Sequence, residues 1–287
     1  DLAWSLPNTV RVYDCMDHHE GFGGASDSVV QAEERLLAQS DVVIVTSLWL
    51  QQFALRYRDH VHLVRNAGDF AFFSKRPDIA FSDPSGRRVV GYYGAIAEWF
   101  DVDLVQFLAN QNPDILFLMV GRDTAGVQDA LDQLHNVQFI GEVPYEELPF
   151  YLHGFDVCLI PFRDVPLTQA TNPVKVYEYL AAGKPVVAPK LPEMQQFGEL
   201  VRLADSGARF AEQLQLALAE AGDAQLEGAR QAFAAEETWG RRAESMVAAF
   251  AELALPRVSV IVLTYNNIDL TRACLESVLL RSDYPNM

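Results

Sequence analysis

The stretch TNPVKVYEYLAAGKPVVAP, Thr171 to Pro189, carries the residues best suited to chemistry. Asn172 is a favoured helix N-cap, and Pro173 suits a first helical position, where its missing N–H would be unpaired anyway. Gly183 falls where a left-handed terminator is wanted, and Lys184-Pro185 prevents continuation. The spacing predicts a helix of about ten residues, ~15 Å long. Val174, Tyr177, Leu180 and Ala181 share one face and are expected to pack on a sheet, with Lys175, Glu178 and Ala182 on an adjacent stripe. The helix start offers unpaired amides and the positive end of the dipole, which suits a pyrophosphate. Lys175 in the first turn opposes that dipole, so its presence suggests an anion nearby. Glu178 could accept hydrogen bonds from ribose hydroxyls, as acidic residues do in dinucleotide-binding folds. The same spacing also fits an i,i+3 surface pair worth ~0.2–0.5 kcal/mol, and spacing alone leaves both readings open.

The elements that must position this helix alternate. Short β-rich apolar runs and helical patterns succeed one another, which argues for parallel α/β layering. Strands are expected at Val10 to Cys15, Asp41 to Thr46 and Val61 to Val64, with helices at Asp27 to Gln39 and, capped by Ser47, Leu48 to Tyr57. The polar stretch from Ser74 to Arg88, with Pro77, Pro84 and Gly86, reads as a linker between domains. A second α/β unit restarts at Val89 to Gly94. Its further strands are expected at Ile115 to Val120, Val137 to Ile140, Asp156 to Pro161, Pro185 to Ala188 and Leu200 to Leu203. Helices fall between them near Asp101 to Asn110, Thr124 to Gln133, Tyr145 to Leu152 and Pro173 to Ala182. Such a doubly wound sheet binds ligands at the carboxyl ends of its strands. A helical tail follows over 208–255, and a new strand, VSVIVLTYNN, opens after Pro256. His135 reads as a loop residue and His153 as a helix-end cation.

The 287 residues are 50% hydrophobic and 21% charged, in keeping with a soluble globular chain of about two domains. Acidic residues outnumber basic ones 39 to 22, a formal charge of -17. That surface argues against a nucleic-acid partner and shows no basic footprint for anionic lipid, but does not exclude a small phosphate ligand at a local site. Cys15, Cys158 and Cys274 lie far apart in apolar runs and read as buried free thiols in a reducing, cytoplasmic compartment. No apolar run approaches a membrane span, and no signal peptide precedes the first strand. Asp1 in place of methionine leaves the natural start open.

Several motifs in order resemble the retaining glycosyltransferases of family 4, also called group 1, with the GT-B fold. EYLAAGKPVVAPKLPE, Glu178 to Glu193, resembles the family's core motif, and VGYYGAIAEWFD, Val90 to Asp101, its first C-domain strand and glycine loop. VQFIGEVPYEELPFYL followed by FDVCLIPF is similar to the base-binding segment and next strand. RNAGD, Arg65 to Asp69, resembles the PNGVD element that closes the N-domain, and Trp239 the tryptophan of a tail helix that crosses back. The resemblance spans roughly Val10 to Phe250. It implies an α/β, GT-B type fold of two Rossmann-like doubly wound domains, the N-terminal one incomplete. The division is a partial acceptor-side domain over 1–73, a linker over 74–88, a nucleotide-sugar-binding domain over 89–207 and a helical tail over 208–255. Carried over by position, Glu178 would hold the ribose. Gly94 and the amides near Asn172 and Pro173 would face the diphosphate, and Val143 would lie against the base through its backbone. Asp17 and His18, within YDCMDHHEGF where a strand ends, would face the cleft as the catalytic candidates, contacting donor sugar or acceptor; solvated loop residues are the plainer alternative. No metal or other cofactor is implied for the GT-B part. The implied partners are a nucleoside-diphosphate sugar and a glycan or lipid-linked acceptor, with peripheral membrane contact of the parent protein left open.

The chain departs from the family pattern at two places. Ala95-Ile96-Ala97-Glu98-Trp99 stands where many members carry an Arg and a Lys, and Ala170 stands eight residues before Glu178, where another glutamate usually engages the transferred sugar. The diphosphate would then depend more on Lys175 and the helix terminus. The chain fits better a subgroup reading NPxKxYEYLAAGKPVV, familiar among exopolysaccharide and cell-wall transferases. The three strands before the linker suggest that several N-terminal βα units are missing. The segment 256–287 resembles the opening of a family 2, GT-A transferase cut off before any Asp-x-Asp metal site, with Thr264 to Asn266 as its nucleotide-binding turn. Two other readings compete: an epimerase of nucleotide sugars on the same fold, and a non-catalytic nucleotide-sugar-binding fragment. A Rossmann dehydrogenase is disfavoured, because VGYYGAIAEW lacks the Gly-x-Gly-x-x-Gly fingerprint.

Overall fold

The computed structural model describes residues 2–6, 9–22, 26–251 and 268–281. In chain order the first part holds α1 (Leu2–Ser5), β1 (Val12–Cys15), α2 (Asp27–Gln39), β2 (Val42–Val45), α3 (Leu48–Ala54), β3 (His62–Leu63) and α4 (Phe70–Phe73). The three strands form a parallel sheet in the order β1-β2-β3. The central strand, Val42-Val43-Ile44-Val45, is buried along its whole length, as a parallel strand covered on both faces must be. Val43 and Val45 pack with Cys15, Leu37, Leu50 and Ala54 on one face, and Val42 and Ile44 with Val64 on the other.

The second part comprises β4 (Arg88–Tyr93), α5 (Val102–Gln111), β5 (Ile115–Val120), α6 (Val127–Leu131), β6 (Val137–Gly141), α7 (Leu148–Gly154), β7 (Val157–Leu159), α8 (Pro166–Ala170), α9 (Val174–Ala181), β8 (Val186–Pro189) and β9 (Val201–Ala204). Its six strands run in the order β6-β5-β4-β7-β8-β9, all paired in parallel. The chain winds outward from β4 in one direction and then returns to start β7 on its other side. The carboxyl ends of β4 and β7 therefore flank the switch point, where sheets of this kind leave a crevice.

The tail is three helices, α10 (Gly207–Glu220), α11 (Ala224–Glu236) and α12 (Trp239–Ala251). Phe210, Leu214, Ala217 and Leu218 of α10 join the core of the six-stranded sheet. The last helix crosses back: Met246 and Phe250 of α12 cover Val42, Ile44 and Val64 of the three-stranded sheet. Trp239, at its start, is exposed. The final described helix is α13 (Ile268–Arg281). The strand expected over 258–267 lies outside the described residues.

The stretch over 74–87, expected as a linker, is irregular; Phe81 N–H donates to Phe150 carbonyl at 2.9 Å and the Phe81 ring packs on Phe150 and Tyr151 of α7. Three expectations need correction. Helix α9 is buried on nearly every side rather than one face, with Val176 and Tyr179 as covered as Tyr177 and Leu180, since it is wedged between the sheet, α11 and the connector, the chain over 64–87 that includes α4. His153 is no helix-end cation: it is buried, its Nε2 lies 3.0 Å from the Phe73 carbonyl, and burial lowers its pKa. Cys15 and Cys158 are buried thiols, whereas Cys274, on α13, is exposed.

Candidate active site in the cleft between the sheets

A cleft of about 470 Å³ opens at the switch point of the six-stranded sheet. Its walls come from both parts of the chain: Asp17 and Phe22 after β1, Asn66 of the connector, and Tyr93, Gly94, Phe162, Thr171, Asn172, Pro173, Lys175 and Glu178 from the second part. Six residues singled out in the sequence thus meet here: Asp17, Gly94, Asn172, Pro173, Lys175 and Glu178.

Gly94 ends β4 with φ of 124°, a left-handed backbone that favours glycine, and its N–H donates to the Val120 carbonyl at 2.9 Å. A Cβ placed there would stand 2.9 Å from Lys175 Cε and 3.1 Å from its Nζ. The missing side chain is therefore what lets the lysine lie along the strand end. Lys175 Nζ sits over two aromatic faces, 5.1 Å from the Tyr92 ring centre and 4.9 Å from that of Phe162. Ring faces carry partial negative charge and hold a cation without neutralising it. Burial lowers the Lys175 ammonium to about 8, opposed by the charge of Glu178. Among the described residues, no acceptor lies within hydrogen-bonding distance of this Nζ, so the i,i+3 pairing with Glu178 is electrostatic and not a direct contact.

Glu178, one turn further along α9, is buried and held by two tyrosines. Tyr93 hydroxyl donates to Oε2 at 2.6 Å, and Tyr145 hydroxyl makes a longer 3.5 Å contact to Oε1. Burial raises the carboxyl's pKa, while the Tyr93 hydrogen bond and Lys175 pull it down. Tyr145 is half exposed and stacks on Phe72 with ring centres 5.3 Å apart, so a flat aromatic surface borders the glutamate.

Asn172 has a different task from the one its type suggested. The N-cap of α9 is Pro173, and Asn172 makes no cap bond. Its Oδ1 accepts from Asn66 N–H at 3.2 Å and from Tyr177 hydroxyl at 3.1 Å, its Nδ2 donates to Glu193 Oε2 at 2.9 Å, and its carbonyl accepts from Asn66 Nδ2 at 2.6 Å. Long-range partners outcompete the local cap because they satisfy a fully buried amide. The first amides of α9 stay free of side-chain capping at the cleft wall.

The connector reaches this turn through RNAGD. Gly68 passes so close to α9 that a Cβ would lie 3.1 Å from Tyr177 Cβ and 3.3 Å from Glu178 N. Asp69 caps α4, its Oδ1 accepting from Phe72 N–H at 3.0 Å.

Two expected contacts are not at the cleft. His18 is not among the lining residues; its ring is buried edge-on against Trp49 and Phe53, at 4.5 and 5.3 Å between centres, with its Nδ1 left without a hydrogen-bond partner among the described residues. Burial lowers its pKa. Val143 lies beyond β6, partly buried against the core and not among the cleft residues. Asp17 lines the cleft, its carboxyl raised by burial and lowered by His19. Tyr93, Asn66, Phe162 and Glu193 were not assigned roles from the sequence, although all four lie inside the motifs quoted above. No group of three or more His, Cys, Asp or Glu among the described residues is placed to hold a metal ion. No described helix is long and apolar enough to cross a membrane.

Comparison with known proteins bears on this geometry. Residues 87–224 match the family model described as glycosyl transferases group 1. A protein of Bacillus subtilis strain 168 named as a teichuronic acid biosynthesis glycosyltransferase, TuaH, is 30% identical over 200 residues, 63% of this chain. The chain spans 50% of that relative's length. Among solved structures, sucrose-phosphate synthase from Thermosynechococcus elongatus superposes with a TM-score of 0.69 at 18% identity, over 88% of this chain and 69% of the other. Anabaena HepE in complex with UDP and glucose gives 0.64 at 19% identity, over 84% and 71%. Residues 87–224 thus match the group 1 glycosyltransferases, and the chain around them has the GT-B arrangement of parallel α/β sheets facing one cleft.

Proposed function

We propose that the cleft binds a nucleoside-diphosphate sugar and that the parent protein transfers the sugar to a glycan or lipid-linked acceptor with retention at the anomeric carbon. The observation that carries this reading is Lys175: a partly desolvated ammonium, without a protein anion in contact among the described residues, beside the glycine end of β4 and the first turn of α9. A cation held over rings in that setting is poised for an anion from outside. The diphosphate would lie between Lys175 and the α9 amides, and Glu178, already oriented by Tyr93, would take the ribose hydroxyls. As the bond from anomeric carbon to diphosphate oxygen breaks, negative charge grows on that oxygen. Preorganised donors aimed there are usually the largest catalytic contribution. Lys175 and the amides take this role in the proposal, and no resident metal is assigned to it. Asp17 on the facing wall is the candidate contact for sugar or acceptor.

The HepE complexes with UDP and with UDP-glucose favour a uridine donor, and the TuaH likeness favours cell-wall or exopolysaccharide synthesis on the cytoplasmic side. Within the same reading, the segment from residue 256 onward opens a family 2 domain. A thermal-shift panel of UDP-, GDP- and dTDP-sugars tests the donor, because a ligand that binds only the folded chain stabilises it by mass action. One donor raising the melting temperature in wild type, and not in Lys175→Ala or Glu178→Ala, is the expected result. Equal shifts in both variants would remove the site.

A further inference from the structure

We infer that Glu193 is a positioning residue that sets the two walls of the cleft against each other; its consequence for nucleotide binding rests on the reading proposed above. Glu193 follows β8, is 1% exposed and does not line the cleft. A carboxylate so deeply buried is unfavourable unless donors surround it. Here four do, three of them from separate regions and one from its own segment. Its Oε1 accepts Leu48 N–H at 2.7 Å, from the start of α3 under the three-stranded sheet. Its Oε2 accepts Arg65 Nε at 2.8 Å from the connector, Asn172 Nδ2 at 2.9 Å, and Gln196 Nε2 at 3.2 Å.

One side chain therefore fastens the first sheet's helix, the connector and the turn that starts α9. Asn172 passes the constraint on. Its amide is fixed on one side by Glu193 and on the other by Asn66 and Tyr177, and Lys175 follows three residues later. Releasing Glu193 removes the hydrogen bond from α3 to the second part of the chain, leaving its apolar packing on α8, Ala170 included, and loosens the register between α3 and the anion-receiving turn. The residue acts on the cleft through Asn172 and Leu48, not by touching a ligand.

Leu48→Pro isolates the cross-sheet bond. Leu48 is the first residue of α3, where proline is tolerated, and Ser47 before it is already extended at φ -144° and ψ 157°, as a residue preceding proline must be. The substitution deletes the N–H that Glu193 holds. Glu193→Gln keeps the shape but confronts a donor with an amide. Both variants are compared with wild type by calorimetric titration with UDP. They are also compared by spin-label distance between Asp59→Cys and Asp132→Cys, both exposed, in a Cys274→Ser background. The expected result is a broadened or lengthened distance in both variants, with UDP weakened at least tenfold in Glu193→Gln and several-fold in Leu48→Pro. A destabilised control on another element from either label, Leu214→Ala of α10, keeps the wild-type distance and affinity. Wild-type distances in both latch variants would overturn the inference, as would equal disturbance in the control. If Glu193→Gln does not fold, Leu48→Pro carries the test. If the wild-type chain fails to bind UDP, the nucleotide reading falls and the distances alone judge the latch.

Discussion

Replacing Lys175 with methionine removes a cation that the empty cleft holds at a pKa of about 8, while keeping most of the stem that packs on Tyr92 and Phe162. An exposed lysine titrates near ~10.4, so burial in the unliganded site favours the neutral amine. A diphosphate beside Nζ reverses that preference and draws a proton back. At pH 9 only about one-tenth of the empty sites carry the charge, whereas nearly all liganded sites do, so UDP binding should take up close to ~1 proton. The apparent affinity should fall about tenfold per pH unit between ~8 and ~10. Calorimetry in two buffers of different ionisation enthalpy reads the uptake directly. In Lys175→Met the uptake disappears and UDP at pH 7 weakens about ten- to a hundredfold, from the ~1.5–3 kcal/mol of a hydrogen bond to a charged group. The stability consequence has the opposite sign. Because the folded pKa lies below the unfolded one, the empty chain gains stability as pH rises from about 8 towards ~10.4. Below pH 8 methionine relieves the strain of the buried charge and should raise the melting temperature, by about 2–4 °C per kcal/mol. Proton uptake near zero above pH 8 in wild type, or a pH-independent affinity, would refute the reasoning.

Three further outcomes follow from the same geometry. Tyr93→Phe leaves Glu178 Oε2 buried without its 2.6 Å donor, so it should cost about 1–3 kcal/mol in stability and weaken UDP, read by denaturant titration and calorimetry. Gly94→Ala forces a Cβ to 2.9 Å from Lys175 Cε at a positive φ, and should displace the lysine and reduce UDP affinity at least tenfold at a modest loss of melting temperature. Stripping divalent ions with a chelator should leave UDP binding unchanged, because the proposal gives the diphosphate's charge to Lys175 and the amides; loss of binding on chelation, restored by magnesium, would contradict it.

The regular elements were legible because their causes are local. The helix over Asp27–Gln39 and the strand over Ile115–Val120 stand where periodicity placed them, and Ser47 caps α3 through its side chain as its type suggests. Lys175 was readable as an oddity, a cation against a dipole, and that oddity does mark a cleft residue. What failed depended on partners far away in the chain. Asn172 looked like a cap because only its neighbours were visible, yet its bonds go to Asn66, 106 residues earlier, and to Glu193. His18 looked like a cleft residue from its place after a strand, but Trp49 and Phe53 claim its ring. Glu178 was singled out, whereas the tyrosines that orient it come from β4 and from the loop after β6, and nothing in their spacing connects them.

A structure of the chain with UDP bound measures the central claim most directly. The pyrophosphate should lie within hydrogen-bonding distance of Lys175 Nζ and the first amides of α9, with a ribose hydroxyl on Glu178. Nucleotide seated elsewhere, for example in the cavity of about 450 Å³ bordered by Asp101, Lys190 and Phe210, with the α9 turn untouched, would contradict the account.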